Sequence, residues 1–281
     1  MQYAVNLPNF GPYADPRTVA RLATHAEATG WDGLFVWDHV TFIKDWNLEI
    51  GDPWIILTAV ALATRRIRLG PMVTPLPRRR PSKLARETVT LDRLSGGRLV
   101  LGVGLGDPPE DEYGTFAEPT DASTRAAKLD EGLEVLTGLW SGQPFAFHGR
   151  HHQVTDATFR PTPLQQPRIP VWVAGLWPGG GPFRRAARWD GVVPMKRGQE
   201  PEPLTPGEVT EVVEAVRGHR PGGEPFEVVV GGTTGGNPAA DRALVGALVD
   251  AGATWWSEWL SPLRGDLGTV LARIRQGPPR V

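Results

Sequence analysis

Leu94 to Asp107 reads LSGGRLVLGVGLGD, five glycines in fourteen residues around the apolar run Leu99 to Val103. Glycines at this density either cradle a nucleotide phosphate or shape the end of a strand. A dinucleotide-binding finger needs G-x-G-x-x-G leading into a helix whose N-terminus receives the phosphate. Here the spacing is G-x-G-x-G over Gly102, Gly104 and Gly106, and Asp107-Pro108-Pro109-Glu110 follows. The finger is excluded by spacing and by context. The stretch reads instead as a helix stop at Gly96-Gly97, a buried strand over Leu99 to Val103, and a bare strand end at Gly104 and Gly106 against which a planar ligand can lie.

The same alternation of helix and short apolar strand runs along the whole chain. Strands are expected at Tyr3 to Leu7, Gly33 to Trp37, Ile67 to Val73, Leu99 to Val103, Val171 to Gly175, Gly191 to Pro194, Phe226 to Gly231 and Thr254 to Trp259. Asp15-Pro16, Asp52-Pro53 and Asn237-Pro238 each offer a capping acceptor followed by a proline at the first helical position, and Thr205 with Glu208 forms a capping box. Eight near-continuous apolar strands alternating with helices imply parallel pairing through right-handed crossovers, and their number fits a closed (β/α)8 TIM barrel, one domain over residues 1–281. Residues Gly142 to Pro170 form an irregular insertion between the fourth helix and the fifth strand, expected to run across the barrel mouth. Gly198 to Gly207, GQEPEPLTPG, is expected to be a surface loop.

Composition narrows the chemistry. Thirty basic and 31 acidic residues leave a net charge of -1, with no like-charge block longer than Arg78-Arg79-Arg80, which argues against nucleic acid or a membrane surface as partner. The absence of cysteine removes thiol catalysis and thiolate metal sites. No apolar run reaches the roughly 20 residues that span a bilayer, and Met1 leads into QYAVNLPNF without a basic leader. A soluble, cytoplasmic protein is the expectation. Eleven tryptophans indicate a wide core or a lined cavity, and in the last strand Trp255 and Trp256 must face opposite sides.

In such barrels the chemistry sits on the loops after the strands. Those positions hold Asn6, Asp38-His39, Thr74, Gly104 to Asp107, Gly175 to Gly181, Lys196 and Glu258, with no histidine pair or carboxylate trio of metal-ligand type. No metal is expected there. His148, His151 and His152 lie in the proline-rich insertion without acidic neighbours in sequence, so surface histidines are expected.

Thr74 to Phe116, together with GWDGLFVWDHV (30–40), PVWVAGLWPGGGPFRRAARWDGVVP (170–194) and GATWWSEWL (252–260), resembles the bacterial-luciferase-like flavin monooxygenase superfamily. The resemblance implies a TIM barrel that binds FMN or the deazaflavin coenzyme F420 at the strand C-termini, with both cofactors left open. It implies that Asp38 and His39 flank the cofactor ring, His39 as acid/base or hydrogen-bond donor, and that Thr74 ends a ring-contacting strand carrying a non-prolyl cis peptide at Pro71-Met72 or Met72-Val73. Gly104 and Gly106 would lie along the ribityl side, and Asp107 stands where some deazaflavin enzymes place a proton donor and many relatives a tryptophan. Gly175 and Gly179, Gly180 and Gly181 would cradle the phosphate, with Arg184 and Arg185 in reach. The implied activity is oxygenation of, or hydride transfer to or from, a small hydrophobic organic substrate by a homodimer. Two alternatives stand beside it: a non-catalytic paralogue of the same barrel, and a Schiff-base enzyme built on Lys196.

Overall fold

The computed structural model describes residues 1–197 and 203–281. The expected loop over 198–207 lies partly outside these residues. Within the described part, Thr205 caps a helix and closes the predicted box with Glu208.

The strands are β1 (Gln2–Leu7), β2 (Gly33–Val36), β3 (Arg68–Pro71), β4 (Thr74–Pro75), β5 (Leu101–Gly104), β6 (Phe145–His148), β7 (Gln153–Ala157), β8 (Val171–Trp177), β9 (Gly191–Lys196), β10 (Glu227–Gly232) and β11 (Trp255–Trp259). Between them run α1 (Pro16–Ala28), α2 (Pro53–Ala63), α3 (Pro81–Ser95), the short α4 (Pro109–Glu112), α5 (Ala122–Trp140), α6 (Gly181–Ala186), α7 (Pro206–Arg217), α8 (Pro238–Asp250) and α9 (Leu267–Arg275). All strands except β6 and β7 form one parallel sheet in the order β3-β2-β1-β11-β10-β9-β8-β5-β4. A parallel bridge between Leu69 and Leu99 joins β3 to the start of the β5 segment, so the sheet closes on itself. The eight expected strands are therefore present, the third of them divided into β3 and β4 at the Met72–Val73 bond, which is cis. The helix signals act as read: Asp15, Asp52 and Asn237 accept first-turn N–H groups, and α3 ends on Gly96 at φ +71°.

Alternation along these strands divides the apolar residues into two layers. Ala4, Phe35, Met72, Val100, Trp172, Val193, Val229 and Trp255 fill the barrel. The opposite faces, with Val5, Leu34, Leu101, Val173, Val230 and Trp256 among them, pack under the helices. Trp255 is the inward tryptophan; its ring centroid lies 5.2 Å from that of Trp172 and 6.0 Å from that of Phe35. This aromatic plug makes the barrel a packed core and confines any ligand to the mouth.

The insertion is correctly placed along the chain but does not cross the mouth. It forms a β6–β7 antiparallel hairpin laid against α5, and the stretch after it runs along α3, where Arg86 covers the Phe159 ring. Phe145 packs where Gly138 of α5 lacks a side chain, and Glu131 accepts N–H groups of Arg150, His151 and His152 at 2.8, 2.8 and 2.9 Å. Further on, Gln165 donates to Asp92 (2.8 Å) and to the Leu99 carbonyl (2.7 Å) at the opposite end of the barrel from the mouth. Helix carboxylates that satisfy loop N–H groups draw the segment down the wall.

Candidate active site at the carboxyl ends of the strands

The second strand delivers Asp38 and His39 to the mouth, and neither acts alone. Asp38 is buried; its Oδ1 accepts from Arg78 Nη2 at 2.6 Å and Arg79 Nη2 at 2.7 Å, and its Oδ2 accepts from Thr74 Oγ1 at 2.9 Å. Both carboxylate oxygens are thus bound by protein groups. So is the Thr74 hydroxyl, which ties the ends of β2 and β4 together. Asp38 in turn helps hold the Arg79 guanidinium protonated against the opposing effect of burial.

His39 turns its Nδ1 to Glu112 Oε1, 3.2 Å away. The Glu112 side chain is wholly buried and accepts N–H groups from Val40 (3.3 Å), Thr41 (3.3 Å) and Phe42 (2.6 Å), and from Arg78 Nη1. Burial alone would raise its pKa, but the hydrogen bond from His39 and the charge of Arg78 outweigh it and hold the carboxyl below its usual range. An ionised carboxylate only accepts, so the hydrogen between the two side chains resides on Nδ1 of His39. The opposite nitrogen, Nε2, makes no hydrogen bond among the described residues and is not sealed from solvent. The imidazole lines a cavity of about 410 Å³ together with Val40, Ile50, Arg79, Phe116 and Glu118. Phe42 and Trp37 flank the ring at 4.6 and 5.8 Å between centroids.

Gly104 and Gly106 lie at the mouth, but the space beside them is already taken. A Cβ at Gly104 would meet Val73 Cγ2 at 2.7 Å, and one at Gly106 (φ +82°) would meet Pro75 Cβ and Tyr113 Cε2 at 2.9 Å. Val73 packs against the Gly104 backbone, so glycine there serves close packing of strand on strand as well. Asp107 is exposed on the rim and makes no hydrogen bond or ion pair among the described residues.

Across the mouth, Gly175 admits Pro182 to the barrel wall, where a Cβ would lie 2.2 Å from Pro182 Cβ. Gly179, Gly180 and Gly181 are exposed, and their N–H groups find no acceptor among the described residues. This open cradle at the start of α6 suits a phosphate. Arg184 is exposed beside it. Arg185, expected to share that role, is instead held by Asp130 of α5 at 2.6 and 2.8 Å.

Lys196 pairs with Glu208 of α7 at 3.5 Å. Glu258 points outward from β11 into a buried cluster with Thr234, Trp256, Arg264 and Arg273, where it anchors the last helices to the barrel. Among the described residues no group of His, Asp and Glu could hold a metal ion, and no helix is long and apolar enough to cross a membrane. Two buried polar atoms on the inner face of the barrel near its mouth, Asn6 Oδ1 and Ser257 Oγ, have no partner among the described residues.

The residues that reading the sequence missed are Glu112 and Arg78. Both were visible only as members of charge runs, PPEDE and RRR.

The family model described as luciferase-like monooxygenase matches residues 1–244. The chain is 33% identical over 184 residues to an F420-dependent glucose-6-phosphate dehydrogenase of Amycolatopsis mediterranei, covering 64% of this chain and 51% of that protein. It is 33% identical over 184 residues to a 4-hydroxyprotoasukamycin monooxygenase of Streptomyces nodosus subsp. asukaensis, covering 65% and 47%. The match therefore spans about half the length of these curated relatives. Among solved structures, the monooxygenase RslO1 from Streptomyces bottropensis superposes with a TM-score of 0.79 at 20% identity over 98% of this chain and 97% of that one. The F420-dependent tetrahydromethanopterin reductase from Methanopyrus kandleri does so with 0.78 at 17% identity over 99% and 98%. By its match to the family model over most of its length, the chain belongs to the luciferase-like monooxygenase family.

Proposed function

We propose that this protein is an oxidoreductase that holds FMN or coenzyme F420 across the barrel mouth and acts on a small, hydrophobic organic substrate. The observation that carries the reading is His39, with its Nε2 unpartnered at a cavity and its Nδ1 committed to a buried carboxylate, in a chain of this family. Relatives include both an F420-dependent dehydrogenase and a monooxygenase, which is why either cofactor is proposed.

The fit rests on two features. The unengaged N–H groups of Gly179, Gly180 and Gly181, with Gly175 behind them, offer an anion cradle. On the other side Asp38, Thr74, Gly104 and Gly106 build a rigid wall in which His39 is the group left to touch the cofactor or substrate. When bound, the cofactor supplies hydride transfer or activation of oxygen. The residues of this chain position it, exclude water and move protons: His39 at Nε2, and Asp107 from the rim as a second proton donor. Val40, Ile50 and Phe116 give the cavity apolar wall suited to the substrate.

The proposed unit is one barrel domain over 1–281, working as a homodimer in the cytoplasm without nucleic acid. Its association surface is the outer side of α2, where Ile55 and Leu62 are 63% and 68% exposed on a helix with little polarity on any face. Titration of the purified protein with FMN and with F420, followed by absorbance and fluorescence, tests the reading. Saturable binding of either, with turnover lost in His39→Ala, is expected. Binding of neither would leave the non-catalytic paralogue.

A further inference from the structure

We infer that Glu112 is the positioning residue of the site: it fixes the tautomer and orientation of His39, so that Nε2 meets the cavity as a proton acceptor. The inference rests on the proposed role of His39 for its catalytic consequence, but its structural core stands on the contacts of Glu112 alone.

Five donors converge on the Glu112 carboxylate: the His39 imidazole, the Arg78 guanidinium, and the N–H groups of Val40, Thr41 and Phe42. A neutral carboxyl would bring a hydrogen of its own into this ring of donors. The ionised form satisfies all of them, and its side chain is 0% exposed, so no water competes. Placed between three successive N–H groups and the imidazole, it also ties the ring to the backbone of the loop that carries it. The ring has no other polar partner among the described residues, so this bond sets its rotation.

Arg78 extends the hold one residue further. Its Nη1 reaches Glu112 while its Nη2 reaches both the carbonyl oxygen (2.7 Å) and Oδ1 (2.6 Å) of Asp38. His39 is therefore clamped from two directions, through its own ring and through the residue before it. The charged groups around the imidazole are Glu112, Arg78, Arg79 and Asp38, with Asp52 and Glu118 on the cavity wall. Of these, Glu112 alone is bonded to the ring.

An isolated neutral imidazole has two tautomers open to it; here one is selected. With hydrogen fixed on Nδ1, the lone pair at Nε2 is presented to whatever fills the cavity. The protein as isolated can then take a proton at that atom. Donation from it requires prior protonation.

Ring 15N–1H correlation spectra of the intact protein test this, with His39 assigned by comparison with His39→Asn. The expected wild-type signature is an Nδ1-protonated neutral ring. In Glu112→Gln the side chain offers one acceptor oxygen to five donors, so the selection is lifted and the Nε2-protonated form gains population. Turnover with the bound cofactor then falls about 10- to 100-fold in kcat, with cofactor affinity unchanged, by analogy with the loss of an orienting partner elsewhere. A wild-type ring protonated on Nε2, or a tautomer ratio identical in wild type and Glu112→Gln, would overturn the inference. Since the wild-type spectrum decides alone, a variant that fails to fold does not rescue it. A protein that shows the expected tautomer yet binds neither cofactor would instead overturn the functional reading and leave the role of Glu112 standing.

Discussion

Gly104→Ala tests what the glycines at the end of the fourth barrel strand are for. The added methyl would sit 2.7 Å from Val73 Cγ2, against 3.4–4 Å for an ordinary contact, with Ala174 Cβ at 3.6 Å on the other side. Both neighbours are partly buried side chains packed against the inner cluster, so room to give way is limited on that side. Overpacking of this kind costs about 1–3 kcal/mol. For a chain of this size that corresponds to a fall in melting temperature of about 2–5 °C. The second substitution Val73→Ala removes the opposing methyls, so the double variant should be more stable than the two single costs predict, with a coupling of about 1–2 kcal/mol. Thermal and urea unfolding of the four proteins without cofactor measure the cycle. If Gly104→Ala keeps wild-type stability, or if Val73→Ala gives no relief while cofactor binding alone is lost, the packing argument is wrong and the bare backbone faces the ligand.

Other expectations follow from the same contacts. Asp38→Asn removes the one carboxylate that Arg79 bonds to among the described residues, while Arg78 keeps Glu112; leaving the partly buried Arg79 without its ion-pair partner should cost about 1–3 kcal/mol, read by urea unfolding. Arg184→Ala should weaken binding of a phosphate-bearing cofactor and leave stability unchanged, whereas Arg185→Ala should lower stability through Asp130 and leave the affinity intact; the reverse pattern in titration and melting would assign the phosphate to Arg185. Glu112 has a folded pKa below its unfolded one, so the stability it contributes is present above about pH 4.3 and is lost as pH falls through the lower, folded value. Wild type should therefore lose its advantage over Glu112→Gln progressively below about pH 4, and an advantage independent of pH down to acid unfolding would count against an ionised Glu112.

What the sequence made legible was whatever depends on neighbours along the chain. The period of apolar residues located all eight barrel strands, and Asp15, Asp52, Asn237 and Thr205 cap helices where their types and the following prolines said they would. Asp38 and His39 were found at the end of the second strand for the same reason. Their partners were not, because Arg78 stands 40 residues from Asp38, Glu112 stands 73 from His39, and only barrel closure brings them together. Two carboxylates and two guanidiniums that neutralise one another in space read, in sequence, as an ordinary charged run. The insertion was misplaced for a related cause: its course is set by Glu131 and Asp92, helix residues whose unpaired faces carry no sequence signature. Gly104 shows a packing demand that the sequence does not carry: Val73 lies against the bare backbone that was read as a ligand surface.

The two sides of the mouth differ in how far their polar groups are already engaged within the described residues. On the side of β2, β4 and α4, the buried charges around the imidazole are matched: Asp38 with Arg78, Arg79 and Thr74, and Glu112 with His39, Arg78 and three N–H groups, while Glu118 on the cavity wall keeps one buried oxygen without a partner among the described residues. Groups already satisfied gain little from a ligand, so this half acts by holding shape and by presenting one imidazole in one orientation. On the side of β8 and α6, the N–H groups of Gly179, Gly180 and Gly181 are unengaged and Arg184 is exposed, so a bound anion adds interactions there that the free protein lacks. Affinity for a phosphate should therefore arise on the second half, and chemistry on the first. FMN and F420 both carry phosphate, which leaves that half unable to tell them apart. Under the proposed function, discrimination between them would come from the other half, around His39.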